Sequence, residues 1–338
     1  MNDNLENKHT IEQLVSLQLM TFEEKVGITQ TRILEWYVKN ENECYVSFSG
    51  GKDSTVLAHL CAQVCLMLNC KLVLWFSDTG LEFPELRKHV KSYSDWLKNK
   101  FADLDIEVIL DYPKDRNGKR ITFKEVVTKY GYPLISKEQA QYINECKYTK
   151  SEKLKNIRMN GNKYGRGKIS KKYLYLLDAP FDISHKCCAI MKKNPAKKFE
   201  KDTGLKPIVG TMTVESANRK SAWLRHGCNA FESKRPISQP MSFWYESDVI
   251  QYISRYNLPY PSIYGEIKCN ENGKYYTTGY QRTGCMFCGF GCQYEKEPNK
   301  FQMLKKTHPK TWEYCMKPIS QGGLGMKEIL KYIDVKIE

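Results

Sequence analysis

Apolar residues recur at helical spacing near the start of the chain, and after it short apolar runs alternate with further helical patterns. Residues 9–40 predict two helices, with a capping box of Thr21 and Glu24 opening the second. Strands are predicted at 44–48, 71–76, 106–110 and 207–209, and helices at 54–68, from 84, and at 123–129, 137–146, 189–201, 247–256, 300–306 and 327–333. The alternation predicts an α/β fold with a parallel twisted sheet flanked by helices.

Changes in texture along the chain predict three parts. Residues 1–40 form an N-terminal helical segment, and 41–235 form the α/β domain. Within that domain, the basic, glycine-containing segment 147–172 is interpreted as an insertion or mobile loop. Proline, tyrosine and glycine become frequent after Pro236, so 236–338 is expected to be a small, irregular C-terminal region.

The charge is concentrated in one stretch. The chain has 53 Lys and Arg against 38 Asp and Glu, a net charge of +15, and residues 147–201 hold 16 of these cations and only 4 of the acids. Such a run is either a solvated lysine-rich loop or a patch that faces phosphates. The polar start has no apolar signal-peptide segment and no stretch is apolar enough to span a bilayer, so we expect a cytoplasmic protein without a membrane partner.

Ten of the thirteen cysteines fall into two groups by their surroundings. One group lies in apolar sequence and is expected in the core: Cys44, Cys61, Cys65 and Cys70. The other lies in Gly- or Lys-rich sequence without periodicity: Cys187, Cys188, Cys285, Cys288, Cys292 and Cys315. Packing gives no reason for thiols to gather there, which favours metal or redox chemistry for the second group.

A glycine-rich segment between a predicted strand and helix carries the sharpest local signal. It reads Ser47-Phe-Ser-Gly-Gly-Lys-Asp-Ser-Thr55. Gly50 and Gly51 allow a tight turn and close approach to a ligand, and the following helix presents its free amides and positive dipole end. Lys52 adds a cation, and hydroxyls come from Ser49, Ser54 and Thr55. The ensemble predicts an anion site that differs from the Walker A pattern.

This segment resembles the PP-loop of the adenine nucleotide α-hydrolase-like superfamily, the N-type ATP pyrophosphatases. The resemblance implies a HUP or Rossmann-like PP-loop fold, ATP with Mg²⁺ as cofactors, and attack on the α-phosphate, with Lys52 and Asp53 as catalytic candidates. The segment Trp75–Glu85 resembles the "DTG…fPE" segment of the phosphoadenosine phosphosulfate (PAPS) reductase family. The two likenesses together imply nucleotide-binding roles for Ser47, Ser49, Gly50, Gly51, Lys52, Asp53, Ser54, Ser77, Asp78, Thr79 and Gly80. The segment Gly210–Arg219 lies where the family has "GxR" and a downstream arginine, which implies that Gly210 and Thr211 touch the nucleotide and Arg219 binds phosphate or sulfate; the alternative is the start of a surface helix.

Two cysteine motifs extend this resemblance to a cluster-bearing branch of the family. Lys186–Pro195 resembles the adjacent-cysteine motif of assimilatory adenylyl-sulfate reductases, and Gly279–Cys288 resembles their "GY…GCxxC" segment. The likeness implies that one 4Fe–4S cluster is held by Cys187, Cys188, Cys285 and Cys288. Zinc is the alternative metal, and Cys292 or Cys315 could replace one of the adjacent pair.

The sequence also departs from the sulfonucleotide reductases. Their C-terminal ECG(I/L)H motif is missing, with Glu313-Tyr-Cys315 its nearest counterpart, while their phosphate loop is degenerate and this one is intact. We therefore expect ATP-dependent sulfur transfer, as in the cluster-bearing tRNA thiolases and DNA phosphorothioation enzymes, with a sulfur donor such as a cysteine desulfurase and nucleic acid facing 147–172. The alternatives are a reductase of adenylyl sulfonucleotides, with Cys315 catalytic and a thioredoxin-type reductant, and a non-catalytic nucleotide-binding module.

Overall fold

The computed structural model describes residues 7–338, which form two compact units. The first unit runs up to Asp78 and continues with Phe83–Asp111 and Ala196–Thr283. The second unit comprises Thr79–Glu82, Tyr112–Pro195 and Gly284–Glu338. The three-part domain division expected from the sequence stays a prediction.

Regular elements occur throughout the described residues. The strands are β1 Cys44–Ser47, β2 Leu72–Ser77, β3 Ile106–Asp111, β4 Leu134–Ile135, β5 Lys206–Ile208, β6 Asn229–Ala230, β7 Ile237–Ser238, β8 Ile267–Cys269, β9 Tyr275–Thr277 and β10 Gly289–Phe290. The α-helices are α1 Ile11–Leu19, α2 Phe22–Lys39, α3 Lys52–Leu68, α4 Pro84–Lys100, α5 Phe123–Tyr130, α6 Lys137–Tyr148, α7 Glu152–Asn160, α8 Asn194–Thr203, α9 Ala217–His226, α10 Glu246–Arg255, α11 Lys300–Thr307, α12 Pro309–Met316 and α13 Met326–Tyr332.

A six-stranded sheet organises the first unit in the order β3-β2-β1-β5-β7-β6. The strands pair in parallel except for the last pair, β7 and β6, which is antiparallel. The central strand is β1, where Val46 lies opposite Leu74 of β2 and Ile208 of β5. The α/β fold with a mostly parallel sheet flanked by helices is confirmed, and the chain leaves β1 and β2 at the same edge.

Helix α3 packs into the core of the first unit over nearly its whole length. Its residues Val56, Leu57 and Leu60 are fully buried. They belong to the same hydrophobic core as aromatic side chains from other parts of the unit, such as Trp36 and Trp244. Of the cysteines expected in the core, Cys44, Cys61 and Cys65 are buried and Cys70 is half-buried. The predicted capping box of α2 is present. This packing fixes the first turn of α3, which follows the glycine-rich segment directly.

The second unit contains α5, α6 and α7 and a short parallel pair in which β10 lies beside β4. The segment 147–172 was expected to be an insertion or a mobile loop; its part Glu152–Asn160 forms α7 rather than a loop, and the expectation of an insertion stays a prediction. No side chain of α7 is buried, so its apolar positions carry little of the periodic signal that marks a packed helix. Among residues 7–338, no helix is both long and apolar enough to cross a membrane.

Candidate nucleotide and cysteine sites

Gly50 and Gly51 shape the turn between β1 and α3. Gly50 has a φ of +74°, and a Cβ built on it would lie 2.8 Å from the carbonyl oxygen of Leu86 and from Cγ2 of Val90 on α4. Both the backbone conformation and the close approach therefore require glycine. Gly51 is the N-cap residue of α3 and supplies no capping side chain; the N–H of Lys52 instead donates to Oη of Tyr264 at 3.3 Å.

The hydroxyl groups around this turn brace its backbone. Oγ of Ser54 and Oγ1 of Thr55 each donate to the carbonyl oxygen of Gly51, both at 3.0 Å. Oγ of Ser49 lies 3.1 Å from Oγ of Ser54, and Ser47 ends the strand that feeds the turn. The hydroxyls thus hold the loop in shape, and their expected contacts with a nucleotide stay predictions.

Lys52 is a buried cation at the first position of α3, with 4% of its surface exposed. Its ammonium lies 2.9 Å from Oε1 of Glu246, donates to the carbonyl oxygen of Gln281 at 2.8 Å and lies 4.9 Å from the ring centre of Tyr264. Burial lowers the pKa of Lys52, but Asp53, Tyr264 and Glu246 outweigh it and raise the pKa above its ordinary value. Lys52 is therefore charged at neutral pH, with Glu246 as its counter-charge.

Asp53 has an unsatisfied oxygen. Its Oδ1 is buried and makes no hydrogen bond among the described residues. Burial raises the pKa of Asp53, and the neighbouring Lys52 partly opposes this. A carboxylate oxygen without a partner suits a Mg²⁺ ligand. The backbone beside it is closely packed, because a Cβ on Gly210 would lie 3.1 Å from the carbonyl oxygen of Asp53.

Two arginines complete a cluster of charges around Lys52 and Asp53. Arg219 forms an ion pair with Glu215, and Arg282 pairs with the same carboxylate at 3.0 Å. Burial and the nearby Arg282 lower the pKa of Arg219, whereas both arginines act against the raised pKa of Asp53. The sequence reasoning found Arg219 but missed Arg282, although Arg282 lies inside the "GY…GCxxC" likeness that was used only for its cysteines.

The strand-end residues of the first unit occupy several environments. Oγ of Ser77 is buried without a hydrogen-bond partner among residues 7–338. The backbone N–H of Asp78 donates to Asp111 at 2.7 Å, and its carboxylate accepts from Arg87 at 2.7 Å. Oγ1 of Thr211 accepts from the amide of Gln239. Their nucleotide contacts stay predictions.

Thr79 and Gly80 belong to the second unit. The hydroxyl of Thr79 donates to Oε1 of Glu82 at 2.7 Å, and its backbone N–H donates to Oε2 at 3.1 Å. Gly80 has a φ of +74°. These bonds make a compact turn in which the Glu82 carboxylate is largely satisfied.

The four proposed cluster ligands lie in one neighbourhood of the second unit. Burial raises the pKa of Cys187, and the nearby thiols of Cys188, Cys285 and Cys288 raise it further. The backbone N–H of Cys288 donates to the carbonyl oxygen of Cys285 at 3.2 Å, which closes the turn of the CxxC motif. Among the described residues, no three His, Cys, Asp or Glu side chains converge on a metal position. Four thiols close enough to influence one another fit a cluster by their chemistry, although they are not arranged as a ligand cage.

Lys192 is the cation beside these thiols. Its ammonium lies 3.7 Å from Oε1 of Glu82. Burial lowers the pKa of Lys192, but Cys285 and then Glu82 outweigh it and raise the pKa. Burial raises the pKa of Cys285, while Lys192 opposes that change. A fixed positive charge at this point favours the thiolate that a metal would bind.

The two reserve cysteines are buried and protonated. Sγ of Cys292 donates to the carbonyl oxygen of Gly289 at 3.0 Å, and burial raises the pKa of Cys292 to about 12. Cys315 has no exposed surface, and burial raises the pKa of its thiol well above the ordinary value. A thiol so placed is a poor nucleophile at neutral pH. The catalytic role expected for Cys315 stays a prediction.

Comparison with known proteins identifies one protein family that the chain matches. The model of the phosphoadenosine phosphosulfate reductase domain matches residues 43–162 and 123–289. Among curated proteins, none matches the chain. One similar solved structure is the NH3-dependent NAD synthetase from Campylobacter jejuni in complex with the nitrate ion, at 12% identity, with 71% of this chain and 75% of that chain covered and a TM-score of 0.32.

Proposed function

The chain belongs to the phosphoadenosine phosphosulfate reductase domain family, and we propose that within it the protein is an ATP-dependent, adenylating sulfurtransferase. The family and the loop geometry support a nucleotide-binding enzyme of the PP-loop kind. One observation carries this proposal: Lys52 is a buried, charged lysine in the first turn of α3, directly after the glycine turn. A buried cation at the positive end of a helix dipole is suited to the polyphosphate of ATP.

The reaction that suits these residues is adenylyl transfer. An oxygen of the acceptor attacks the α-phosphorus of ATP, a bond from that oxygen to AMP forms, and the bond to pyrophosphate breaks. Lys52, Arg219 and Arg282 would neutralise the charge that builds up on the leaving pyrophosphate. Mg²⁺ would be held through the free oxygen of Asp53. A sulfur nucleophile carried by a donor protein would then displace AMP: the bond from sulfur to the acceptor forms, the bond from the acceptor to the AMP oxygen breaks, and a thiol reductant cleaves the sulfur from the donor.

The cysteine group of the second unit would hold a 4Fe–4S cluster. Its ligands would be Cys187, Cys188, Cys285 and Cys288, with Lys192 as the adjacent cation. When bound, such a cluster supplies electron transfer or a site for sulfur. Zinc on the same thiols is the competing assignment.

Pyrophosphate release from ATP tests the proposal, with a matched control. Lys52→Met is expected to lower release by about a hundredfold or more, because a preorganised charge at the transition state is lost. Lys25→Met removes another buried lysine of the first unit, whose ammonium lies 2.7 Å from Asp248. That control separates loss of a buried ion pair from loss of the phosphate site. Absence of release by the wild-type protein with nucleic-acid and small-molecule acceptors would contradict the proposal.

A sulfonucleotide reductase is the second candidate, favoured by the name of the family model. It would produce sulfite from an adenylyl sulfonucleotide and would need a reactive thiol beyond the cluster. Cys315 is the expected thiol, but its burial and raised pKa argue against that use. Sulfite formation with thioredoxin that is lost in Cys315→Ser would favour the reductase, and tight ATP binding without turnover would favour a binding module.

A further inference from the structure

A short turn in the second unit is held in one shape by hydrogen bonds to Asn162 and by two backbone glycines. We call residues 161–167 the Tyr164 loop. Oδ1 of Asn162 accepts from the backbone N–H groups of Tyr164 and Arg166, at 2.9 and 3.0 Å. The N–H of Asn162 donates to the carbonyl oxygen of Arg166 at 2.8 Å. Gly161 has a φ of +96°, and a Cβ on it would lie 2.9 Å from the carbonyl carbon of Gly165, so the turn tolerates no larger residue there.

Arg158 on α7 anchors this loop to the helices beside it. Its Nη1 donates to the carbonyl oxygen of Gly167 at 2.7 Å, and its Nε donates to Oε2 of Glu145 on α6 at 2.6 Å. The guanidinium also lies 4.2 Å from the ring centre of Tyr142. The side chain of Arg158 is therefore engaged in contacts within the second unit, and these contacts hold the loop at a fixed position on that unit.

Most of the positive charge around this loop has no counter-charge. Residues 147–172 hold ten Lys and Arg and a single acid, Glu152. Lys147 pairs with Asp182 at 3.3 Å, and Arg158 pairs with Glu145. Lys172 donates to the hydroxyl of Tyr294. The other cations of 147–172 are exposed and form no ion pair among residues 7–338: Lys150, Lys153, Lys155, Lys163, Arg166, Lys168 and Lys171. Such a dense unpaired field attracts a polyanion.

Tyr164 stands at the tip of the loop among these cations. The residue is 71% exposed, and the ammonium of Lys163 lies 4.9 Å from its ring centre. An aromatic ring on a rigid turn, flanked by cations, is the arrangement that stacks an unpaired base while the cations bind neighbouring phosphates. A duplex would use only the cations, because its bases are already stacked.

We propose that α7 and the Tyr164 loop bind single-stranded nucleic acid, with Tyr164 stacked on a base and the exposed cations along the phosphates. The exposed residues of the loop are polar or glycine apart from Tyr164, which favours nucleic acid over an anionic membrane. The inference stands on residues of the second unit and does not depend on the chemistry proposed for Lys52.

Fluorescence anisotropy of labelled oligonucleotides with the full chain, without ATP and at several salt concentrations, tests the proposal. The probes are oligo-U and oligo-dT of about 20 nucleotides, the matching duplexes, and vesicles containing phosphatidylserine. The charge variant is Lys163→Gln with Arg166→Gln and Lys168→Gln. The matched control removes three exposed lysines of α8: Lys197→Gln, Lys198→Gln and Lys201→Gln.

We expect the charge variant to bind single strands about tenfold or more weakly. The slope of log affinity against log salt concentration should fall by about 2, because each of the three lost phosphate contacts removes roughly 0.7 from it. Tyr164→Ala should weaken binding about fivefold or more, and Tyr164→Phe should restore it. The α8 control should change affinity less than about twofold. Preference for oligo-U or oligo-dT supports the proposal in either case and identifies the polymer.

Several outcomes would overturn it. Equal losses in the charge variant and the α8 control would show an effect of net charge alone. Unchanged binding by Tyr164→Ala, or tighter binding to duplexes or vesicles than to single strands, would exclude the stacked single strand. The oligonucleotide assay contains no ATP and measures binding without any reaction. Failure of this inference is therefore distinguishable from failure of the pyrophosphate assay.

Discussion

The ammonium of Lys52 lies 2.9 Å from Oε1 of Glu246, a residue at the start of α10 in the same unit. The carboxylate of Glu246 is thus paired with Lys52, the cation to which the proposed function assigns a polyphosphate. A nucleotide must therefore displace Glu246 or share Lys52 with it. Glu246 is half exposed, so it can turn towards solvent without leaving a buried negative charge.

Glu246→Gln is predicted to make the protein less stable without ligand and to increase its stabilisation by ATP. The neutral side chain leaves Lys52 with a weaker partner, which costs about 1–3 kcal/mol of unfolding free energy, and no longer competes with phosphate. Thermal unfolding with and without Mg²⁺ and ATP measures both effects. Glu271→Gln, at an exposed glutamate of the same unit, is the control. A smaller ATP-induced shift in Glu246→Gln than in the wild type would contradict the prediction.

Gly50→Ala should destabilise the protein more than Gly273→Ala does. Both glycines have a positive φ, +74° and +72°, so both substitutions incur a similar conformational cost of about 1 kcal/mol. Only at Gly50 does the added Cβ also meet backbone, 2.8 Å from the carbonyl oxygen of Leu86, whereas nothing lies within 4 Å at Gly273. We expect a further loss of about 1–3 kcal/mol for Gly50→Ala, measured by urea unfolding. Equal losses of unfolding free energy in the two variants would show that the contact between the added Cβ and Leu86 is relieved without a cost in stability.

Local patterns predicted the central strands and the glycine-rich turn well. The run at 44–48 corresponds to β1, and α3 begins at Lys52, as expected from a turn followed by apolar periodicity. Strands of two residues such as β6 and β7 are too short to show a period of two, and the sequence analysis missed them. Helix α7 was missed because it buries no side chain.

The charged neighbours of Lys52 and Asp53 could not be predicted in the same way. Glu246 pairs with Lys52 and Arg282 acts on Asp53, although both are far from these residues in the chain. Nothing in their local sequence distinguishes them from surface charges. The burial of Cys315 was also hidden, since its neighbours Glu313 and Tyr314 are exposed polar or aromatic residues. The sequence therefore indicated Lys52 and Asp53 as candidates for the site, whereas the structure supplied their charged neighbours.

His89 is predicted to make stability depend on acid pH. Its Nε2 lies 3.1 Å from Oγ1 of Thr55, and burial lowers the pKa of His89 to about 4. The unfolded chain, with an ordinary His pKa near 6.5, then binds more protons between pH 6.5 and 4, so stability falls as the pH falls through that window. The loss from His89 should reach about 2 kcal/mol at pH 5. Urea unfolding at pH 7 and pH 5 measures it, and His89→Gln should show a smaller difference; an unchanged difference would assign the effect to other groups.

Colour tests the cysteine group directly. Protein purified without oxygen is expected to be brown with broad visible absorbance, because 4Fe–4S clusters absorb throughout that range. Cys285→Ser and Cys288→Ser should each remove the colour, since each takes away a thiolate from the CxxC pair. Cys269→Ser, at an exposed cysteine of the first unit, is the matched control and should keep it. Cys315→Ser should also stay brown if the ligands are the four proposed, and its loss of colour would instead make Cys315 a ligand. A colourless protein that contains zinc would replace the cluster with the competing metal.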